Sequence, residues 1–246
     1  MKPHRSRYWL NREPEPGDDE KIRAITTLYA DAKALAEAGE RVLSSDEMTG
    51  IQALERKHPT KPARARQVER REFEYIRHGT QTLIADWDVA CGGIVGASIG
   101  PRRTETDFAS HIAHTVGSDA SATKWHFVAD NLDTHKSESL VRLVAERDGL
   151  TQELGKKGRR GILKSVASRE QFLTDASHTI VFHYTPKHAS WMNQIELWFS
   201  ILARKVLKRG SFTSTDHLKQ RLHTFIRYFN ETMAKPFKWT YKPLTA

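Results

Sequence analysis

The chain has a single cysteine, Cys91, among its 246 residues. One cysteine excludes an internal disulfide framework and a cysteine-rich zinc site. No stretch has the roughly 20 consecutive apolar residues that a membrane-spanning helix needs, and the N-terminus lacks the apolar core of a signal peptide. Internal repeats and long low-complexity segments are also missing. We therefore expect a cytoplasmic protein with one sizeable core and no membrane partner.

Acidic residues are in the minority. The chain has 39 Lys and Arg against 30 Asp and Glu, a net charge of +9. A basic surplus of this size favours a polyanionic partner, nucleic acid first. The 12 histidines are scattered, so nothing indicates a metal site built from soft ligands.

Residues 184–199 (Tyr-Thr-Pro-Lys-His-Ala-Ser-Trp-Met-Asn-Gln-Ile-Glu-Leu-Trp-Phe) form the most informative stretch. Its pattern predicts the end of a strand, a tight turn and the start of a helix, because Pro186 disfavours helical geometry in the residue before it. Ser190 is the expected N-cap of this helix. The helix is expected to run to about Arg209, with Gly210 as its stop.

The predicted helix has two distinct faces. Because successive residues turn by about 100°, one apolar stripe contains four residues: Trp191, Ile195, Trp198 and Leu202. Asn193 and Glu196 share another face, which puts a carboxylate beside an amide at the rim of a site. An ordinary amphipathic helix with a solvated Glu196 explains the pattern equally well.

A second carboxylate stands where a predicted strand ends. Residues 124–131 (Lys-Trp-His-Phe-Val-Ala-Asp-Asn) are a short apolar run that stops abruptly at Asp130. This is the pattern of a buried central strand that delivers an acid at its carboxyl end. Ligands of open α/β sheets bind at such ends.

Two motifs together carry a family resemblance: residues 130–135 (Asp-Asn-Leu-Asp-Thr-His) and 190–196 (Ser-Trp-Met-Asn-Gln-Ile-Glu). They resemble the catalytic domain of bacterial insertion-sequence transposases related to the mariner superfamily, the insertion-sequence family numbered six-thirty. The resemblance extends from about Arg5 to Tyr241. It implies an RNase H-like fold, an Asp-Asp-Glu or Asp-Asp-Asp metal triad, and metal-dependent DNA cleavage and strand transfer in transposition.

The resemblance also assigns the first catalytic acid. By its residues alone, the segment 41–47 is a weak strand that ends in acids. In the resembled family the first acid lies in an Asp-Glu pair at this place, which maps it onto Asp46 with Glu47 as its neighbour. The implied catalytic and metal-binding set is Asp46, Asp130 and Glu196, holding two Mg²⁺ or Mn²⁺ ions.

Other residues compete with or support this set. Asp86 and Asp88 alternate on one face of a later predicted strand and are the rival candidates for the first ligand. Asn131 and Asn193 are expected to orient the ligands or water. For His135 two interpretations stay open: a neighbour of a helix cap, or a group that supports the site.

Two basic segments are predicted to contact DNA phosphates, with a solvated loop as the alternative. The first, residues 54–72, contributes Arg56, Lys57, Lys61, Arg64 and Arg66. The second, the glycine-rich run 155–161, contributes Lys156, Lys157, Arg159 and Arg160, and it lacks the Gly-Lys-Ser/Thr ending of a nucleotide-binding P-loop. Lys187, in the central stretch, completes the expected set.

The expected architecture is α/β, an RNase H-like mixed sheet flanked by helices. Residues 1–40 would form an arm and a helix, 41–233 the catalytic domain, and 234–246 a C-terminal tail that either docks on the domain or contacts DNA. Two strands joined at Cys91-Gly92-Gly93 would form a hairpin, and parallel strands would end at Asp130 and near Tyr184. A basic glycine-rich insertion, about 149–177, precedes the last core strand.

Helix starts are expected at two further places. Residues 104–107 (Thr-Glu-Thr-Asp) resemble a capping box. Asp133 or Thr134 would cap the helix that follows the Asp130 strand.

The expected partners are transposon-end and target DNA, with a homodimer on the DNA and a place in the nucleoid. Members of the resembled family usually carry helix-turn-helix domains ahead of this point. We find none here, so a separately encoded helix-turn-helix protein is a further expected partner. Two alternatives to an active transposase domain remain: an RNase H-like nuclease of another kind, and a truncated relic that binds DNA or transposase without cleaving.

Overall fold

The computed structural model describes residues 15–240, so residues 1–14 of the predicted arm and 241–246 of the predicted tail lie outside it. Five strands form one sheet: β1 (Glu40–Arg56), β2 (Tyr75–Asp88), β3 (Ile94–Gly100), β4 (Lys124–Ala129) and β5 (Ile180–Tyr184). Their spatial order is β3-β2-β1-β4-β5. The first three strands pair antiparallel, whereas β4 and β5 join β1 in parallel. The predicted mixed sheet, with an early hairpin followed by parallel strands, is confirmed.

Helices cover both faces of the sheet. They are α1 (Asp18–Glu37), α2 (Glu105–Gly117), α3 (Glu138–Arg147), α4 (Val166–Leu173), α5 (Ile195–Leu202) and α6 (Thr215–Thr232). One buried cluster joins α1, α5 and α6 to the sheet, and a second joins α2, α3 and α4 to its other face. Neighbouring strand residues alternate between the clusters, with Val42 in the first and Leu43 in the second. Within the described residues, no helix has the length and apolarity needed to cross a membrane.

Local sequence signals explain several helix ends. The box at Thr104 is formed: its side chain accepts from the Asp107 backbone, and the Asp107 carboxylate accepts in return. The predicted cap of α3 was wrong, because Ser137 caps it by accepting from Leu140 N. Residues Asp133–Lys136 instead form a short 3₁₀ turn, which carries His135 beneath the carboxyl ends of the strands.

The sequence predicted that strand β1 would end at its acids, and this prediction was wrong. It continues through Asp46 for ten more residues, because β2 pairs with it as far as Arg56 opposite Tyr75. Its pairing with β4 stops earlier, at Ser44 opposite Val128. Asp46 therefore lies within a strand that has antiparallel support on one side and an open edge on the other.

The central helix starts later than predicted. Residues Ser190–Met192 form a 3₁₀ turn, Asn193 is extended with ψ 105°, and α5 begins at Ile195. Ser190 is thus not its cap, and Trp191 lies off the apolar stripe with 54% of its surface exposed. Trp198 is fully buried as predicted. Beyond α5 a π turn, Ala203–Leu207, carries the helix close to its predicted end.

The basic insertion and the tail both pack on the domain. Residues 151–160 are mostly exposed, but the rest of the insertion contributes α4 and buries Leu163 and Leu173 completely. In the tail, Phe237 stacks on Trp87 with ring centroids 4.3 Å apart, and Trp239 meets the Tyr29 ring edge-on. The described part of the tail therefore docks against the domain.

Candidate active site

Strand register brings the first two acids together. Ser44 and Val128 are the last paired residues of the parallel strands β1 and β4, and Asp46 and Asp130 each lie two positions beyond them. Asp46 is 7% exposed, whereas the Asp130 side chain is 30% exposed. One acid is thus held inside the protein and the other reaches the surface at the same edge of the sheet.

Asn193 connects this edge to the start of α5. Its Nδ2 donates to Asp46 Oδ2 at 3.1 Å and to the Ser45 carbonyl at 2.9 Å. Its Oδ1 accepts from the Ser44 hydroxyl, which itself accepts from Ile195 N at 2.9 Å. The extended backbone at Asn193 is therefore fastened to β1, and it sets where the first turn of α5 begins.

Glu196 lies on that first turn and is exposed. Burial together with the charge of Asp130 raises its pKa, and the Asp46 side chain partly opposes this shift. Glu196 also lines a groove of about 290 Å³ whose other lining residues are Glu47, Met48, Thr49, Phe199, Ser200 and Ala203. Of the three predicted acids, Glu196 is the one that lines this groove.

The electrostatics of the cluster fit a cation. Burial and the nearby charge of Asp130 raise the pKa of Asp46 to about 7, because ionising a buried carboxyl next to another carboxylate is unfavourable. Within residues 15–240, no Lys or Arg forms an ion pair with Asp46, Asp130 or Glu196. A hard divalent cation, which prefers oxygen ligands, would relieve this repulsion.

His135 lies behind the acids and is fully buried. Its Nδ1 lies 2.8 Å from Asp130 Oδ1, and its Nε2 lies 3.0 Å from Glu47 Oε2. Burial lowers the pKa of His135, but its hydrogen bonds to Asp130 and Glu47 outweigh this and raise the pKa to about 10. The protonated ring therefore holds the Asp130 carboxylate in position.

A ligand role for His135 is disfavoured by the same contacts. One atom each of Asp46, Asp130 and His135 lie within 4.8 Å of one another, a spacing that suits a shared ion. However, a protonated imidazole has no lone pair for a metal, and both of its ring nitrogens already face carboxylates. The two carboxylates of this group, Asp46 and Asp130, therefore offer the oxygen ligands, and Glu196 lies outside the group.

Asn131 supports the strand ends instead of touching the other acids. Its Nδ2 donates to the Thr185 carbonyl, and its Oδ1 accepts from Lys136 Nζ. Lys136 is itself buried, bonds Glu170 Oε2 at 2.7 Å and lies over the Tyr184 ring. Asn131 thus ties the end of β4 to the end of β5.

The rival acids have structural partners. Asp86 is fully buried, accepts from the hydroxyls of Ser45 and Thr115, and faces His111 Nε2 at 2.9 Å. Asp88 Oδ1 accepts from the backbone of Ala90 at 2.8 Å and of Cys91 at 2.9 Å, which shapes the hairpin turn. Neither acid joins the cluster around Asp46.

The ten predicted DNA-contacting residues separate into groups. Lys187 lines a second groove, of about 250 Å³, together with Asp130. Arg56 is the last residue of β1, and the other four up to Arg66 belong to the β1–β2 connection, where Lys57 pairs with Glu74 at 2.7 Å. The four in the insertion lie on an exposed segment, where Lys157 pairs with Glu105 and Arg160 with Glu153. Of the ten, Lys187 is the one that lines a groove at the acids.

Sequence reasoning missed the roles of Ser44 and Glu47. In a strand, consecutive side chains point to opposite faces, so the adjacent Asp46 and Glu47 serve different partners. Asp46 meets Asn193 on the α5 side, and Glu47 meets His135 on the other. The adjacency of the two acids was the available signal, but it did not identify His135 as the partner.

The family model described as "DDE superfamily endonuclease" matches residues 41–219. The chain belongs to the DDE superfamily of endonucleases. The match begins one residue after the start of β1 and spans all five strands. No curated protein matches this DDE endonuclease by sequence.

Solved structures share the fold of this DDE endonuclease. The catalytic domain of Mos1 mariner transposase matches with a TM-score of 0.52 and 9% identity, over 89% of this chain and 85% of that one. The Mos1 mariner paired end complex with Mn gives 0.51 at 12% identity, over 90% of this chain. A pre-cleavage Mos1 transpososome gives 0.50 at 12% identity, over 91% of this chain. The likeness confirms the predicted RNase H-like fold.

The chain spans 58% of the Mos1 chain in the paired end complex and 59% of that in the transpososome.

Proposed function

We propose that residues 41–233 are the catalytic domain of a DDE transposase from an insertion sequence of the resembled family, and that it cleaves DNA and transfers strands with divalent metal. One observation carries the proposal: the carboxylates of Asp46 and Asp130 meet just beyond the last paired residues of the parallel strands β1 and β4, and Glu196 lies close enough for the charge of Asp130 to raise its pKa. Membership of the DDE endonucleases supports the same chemistry.

Asp46, Asp130 and Glu196 would hold two Mg²⁺ or Mn²⁺ ions. When bound, such a pair activates an in-line water or 3′-hydroxyl and stabilises the leaving oxygen of the phosphodiester. Carboxylate oxygens are the ligands that these hard cations prefer. The Mos1 paired end complex, which shares the fold, was solved with Mn.

The surrounding residues would hold the ligands in place. Asn193 fixes the orientation of Asp46 through the bond to Oδ2, and His135 fixes that of Asp130. Glu47 in turn holds the far nitrogen of His135. Such supporting bonds preserve ligand geometry and tune affinity for the metal.

The proposed partners are transposon-end and target DNA. Lys187 lines the groove beside Asp130, where it could meet a phosphate. The Mos1 structures of the same fold are a paired end complex and a transpososome. By analogy we propose that this chain acts as a homodimer on DNA, with end recognition supplied by a helix-turn-helix segment or protein.

A plasmid assay tests the proposal. The chain is incubated with supercoiled plasmid and a 3′-hydroxyl oligonucleotide, with MnCl₂, with MgCl₂ or with EDTA. We expect metal-dependent nicking and covalent joining of the oligonucleotide to the plasmid. Nicking without joining would favour a nuclease of another kind, and DNA binding without nicking in either metal would favour a non-catalytic relic.

A further inference from the structure

Four exposed cations lie together at the C-terminal end of the α5 helix and its π turn: Arg204, Lys205, Lys208 and Arg209. Within residues 15–240, none of them has a carboxylate at ion-pair distance. Four of the ten predicted DNA-contacting cations, by contrast, are each paired with a glutamate: Lys57, Lys157, Arg160 and Lys187. The end of this helix therefore carries positive charge that nothing in the described fold neutralises.

Two of these cations continue the face of the helix that carries Glu196. Glu196, Ser200, Arg204 and Lys208 follow one another at steps of four residues. In a regular α-helix such a row drifts around the axis by about 40° per step. The π turn Ala203–Leu207 reduces that drift, since it takes more residues per turn. The opposite side of the helix is buried through Ile195, Trp198, Leu202 and Val206.

A groove runs from Glu196 along the start of this row. The groove that contains Glu47 and Glu196 is also lined by Phe199, Ser200 and Ala203, the residue before Arg204. Twelve helical positions from Glu196 to Lys208 span roughly 18 Å. One strand of B-DNA carries a phosphate about every 3.4 Å along the axis, so the row matches about five nucleotides.

We propose that Arg204 and Lys208, flanked by Lys205 and Arg209, bind the phosphate backbone of the DNA segment on the Glu196 side of the scissile phosphate. Lys187 lies on the opposite side, in the groove with Asp130. The DNA would thus run from one groove to the other and pass over the acids between them. The placement rests on the proposed function, because it takes the DNA at the acids as the substrate.

Salt-dependent binding tests this surface without requiring cleavage. Arg204→Gln/Lys208→Gln removes two charges and keeps side-chain length. Binding to a labelled duplex of about 40 base pairs is measured by anisotropy in EDTA, between about 50 and 300 mM salt. Each lost phosphate contact should make the slope of log affinity against log salt concentration shallower by about 0.9, so we expect a change of about 1.8 for the two substitutions. Affinity at 0.1 M salt should be about tenfold weaker or more.

Two matched variants complete the design. Lys219→Gln/Arg227→Gln removes the same charge from exposed positions of α6 and should leave slope and affinity unchanged. Arg204→Lys/Lys208→Arg keeps the charge at the proposed surface and should bind like the parent. Circular dichroism melts verify that all variants are folded.

An unchanged slope in Arg204→Gln/Lys208→Gln would overturn the proposed surface, as would an equal loss in the α6 pair. Plasmid nicking by the parent in Mn²⁺ reports on the catalytic proposal separately. A shifted slope with an inert parent would retain the surface and reject catalysis. Nicking by the parent, with an unchanged salt slope in Arg204→Gln/Lys208→Gln, would retain catalysis and reject the surface.

Discussion

Asn193 donates from its side-chain nitrogen to the Asp46 carboxylate at 3.1 Å, although the two residues are 147 positions apart in the chain. The same amide group bonds Ser45 and Ser44. The start of α5, and with it Glu196, is therefore positioned by bonds to the strand that carries the first acid.

Replacing this amide should weaken both the fold and the site. Asn193→Ala leaves buried groups of Ser44 and Ser45 without partners, and we expect the free energy of unfolding to fall by about 1–3 kcal/mol. Loss of the group that orients Asp46 should weaken Mn²⁺ binding by about 10- to 100-fold. Urea unfolding and calorimetric Mn²⁺ titration measure the two effects.

Asn230 provides the control for Asn193. Its side-chain amide also uses both ends, accepting from Ile94 N at 2.9 Å and donating to Ile94 O at 2.7 Å. Ile94 begins β3, which is an edge strand of the sheet. Asn230→Ala should lower stability and leave Mn²⁺ affinity unchanged. Equal metal affinity in Asn193→Ala and the parent would refute the positioning role.

The pH dependence of stability should report on Asp46. Its pKa is 3.8 in the ordinary carboxyl and about 7 in the folded protein without metal, so the folded state holds this proton more tightly than the unfolded chain. The Asp46 contribution to the free energy of unfolding is therefore present at low pH and is lost as pH rises from about 4 to 7. Asp46→Asn should lack this part of the pH profile.

Bound metal should oppose this loss of stability at higher pH, because a cation competes with the proton for the same carboxylate. We expect the rise in Tm on adding Mn²⁺ to be larger near pH 8 than near pH 5.5 in the parent, and small at both in Asp46→Asn. Differential scanning fluorimetry gives both profiles. The contribution of His135 falls in a higher window, between 6.5 and about 10. Glu196 and His183 also titrate below 6.5, so the difference between the parent and Asp46→Asn in that range reports on Asp46. Parent and Asp46→Asn profiles that coincide there would contradict the assignment.

Gly96 tests whether Asp86 is structural. A Cβ at this position would overlap Thr115 Oγ1 and Asp86 Oδ2. Gly96→Ala should therefore lower the free energy of unfolding by about 1–3 kcal/mol and leave Mn²⁺ affinity intact. At Gly100, on the same strand, an added Cβ would meet no other side chain or backbone atom within 4 Å, and Gly100→Ala should be close to neutral. A folded Gly96→Ala variant that fails to bind Mn²⁺ would return Asp86 to the ligand set.

The sequence predicted the features that depend on local patterns. The apolar run before Asp130 became β4, and Trp198 and Leu202 are buried where helical spacing put them. Trp191 was assigned to the same stripe because the helix was taken to begin at Ser190. The break at Asn193 that moves Trp191 to the surface depends on bonds to Ser44 and Asp46, which no local pattern contains.

Long-range pairing explains the remaining differences. The acids of β1 looked like the end of a strand, since β-strands rarely continue through adjacent carboxylates, yet pairing with β2 extends the strand to Arg56. The contact between Glu47 and His135 joins residues 88 positions apart. In the sequence, only the family resemblance distinguishes Asp46 from Asp86 and Asp88; in the fold, the structural partners of Asp86 and Asp88 do so.

The most direct test compares the metal-dependent nicking rates of the acid variants. Asp46→Asn, Asp130→Asn and Glu196→Gln each remove a ligand charge with little change in shape, and each should reduce the rate of plasmid nicking in Mn²⁺ to that of the parent in EDTA. Asp88→Asn, and Asp86→Asn below its melting temperature, should retain nicking. Parent-like nicking by Asp46→Asn, with loss in Asp86→Asn or Asp88→Asn, would contradict the proposed triad.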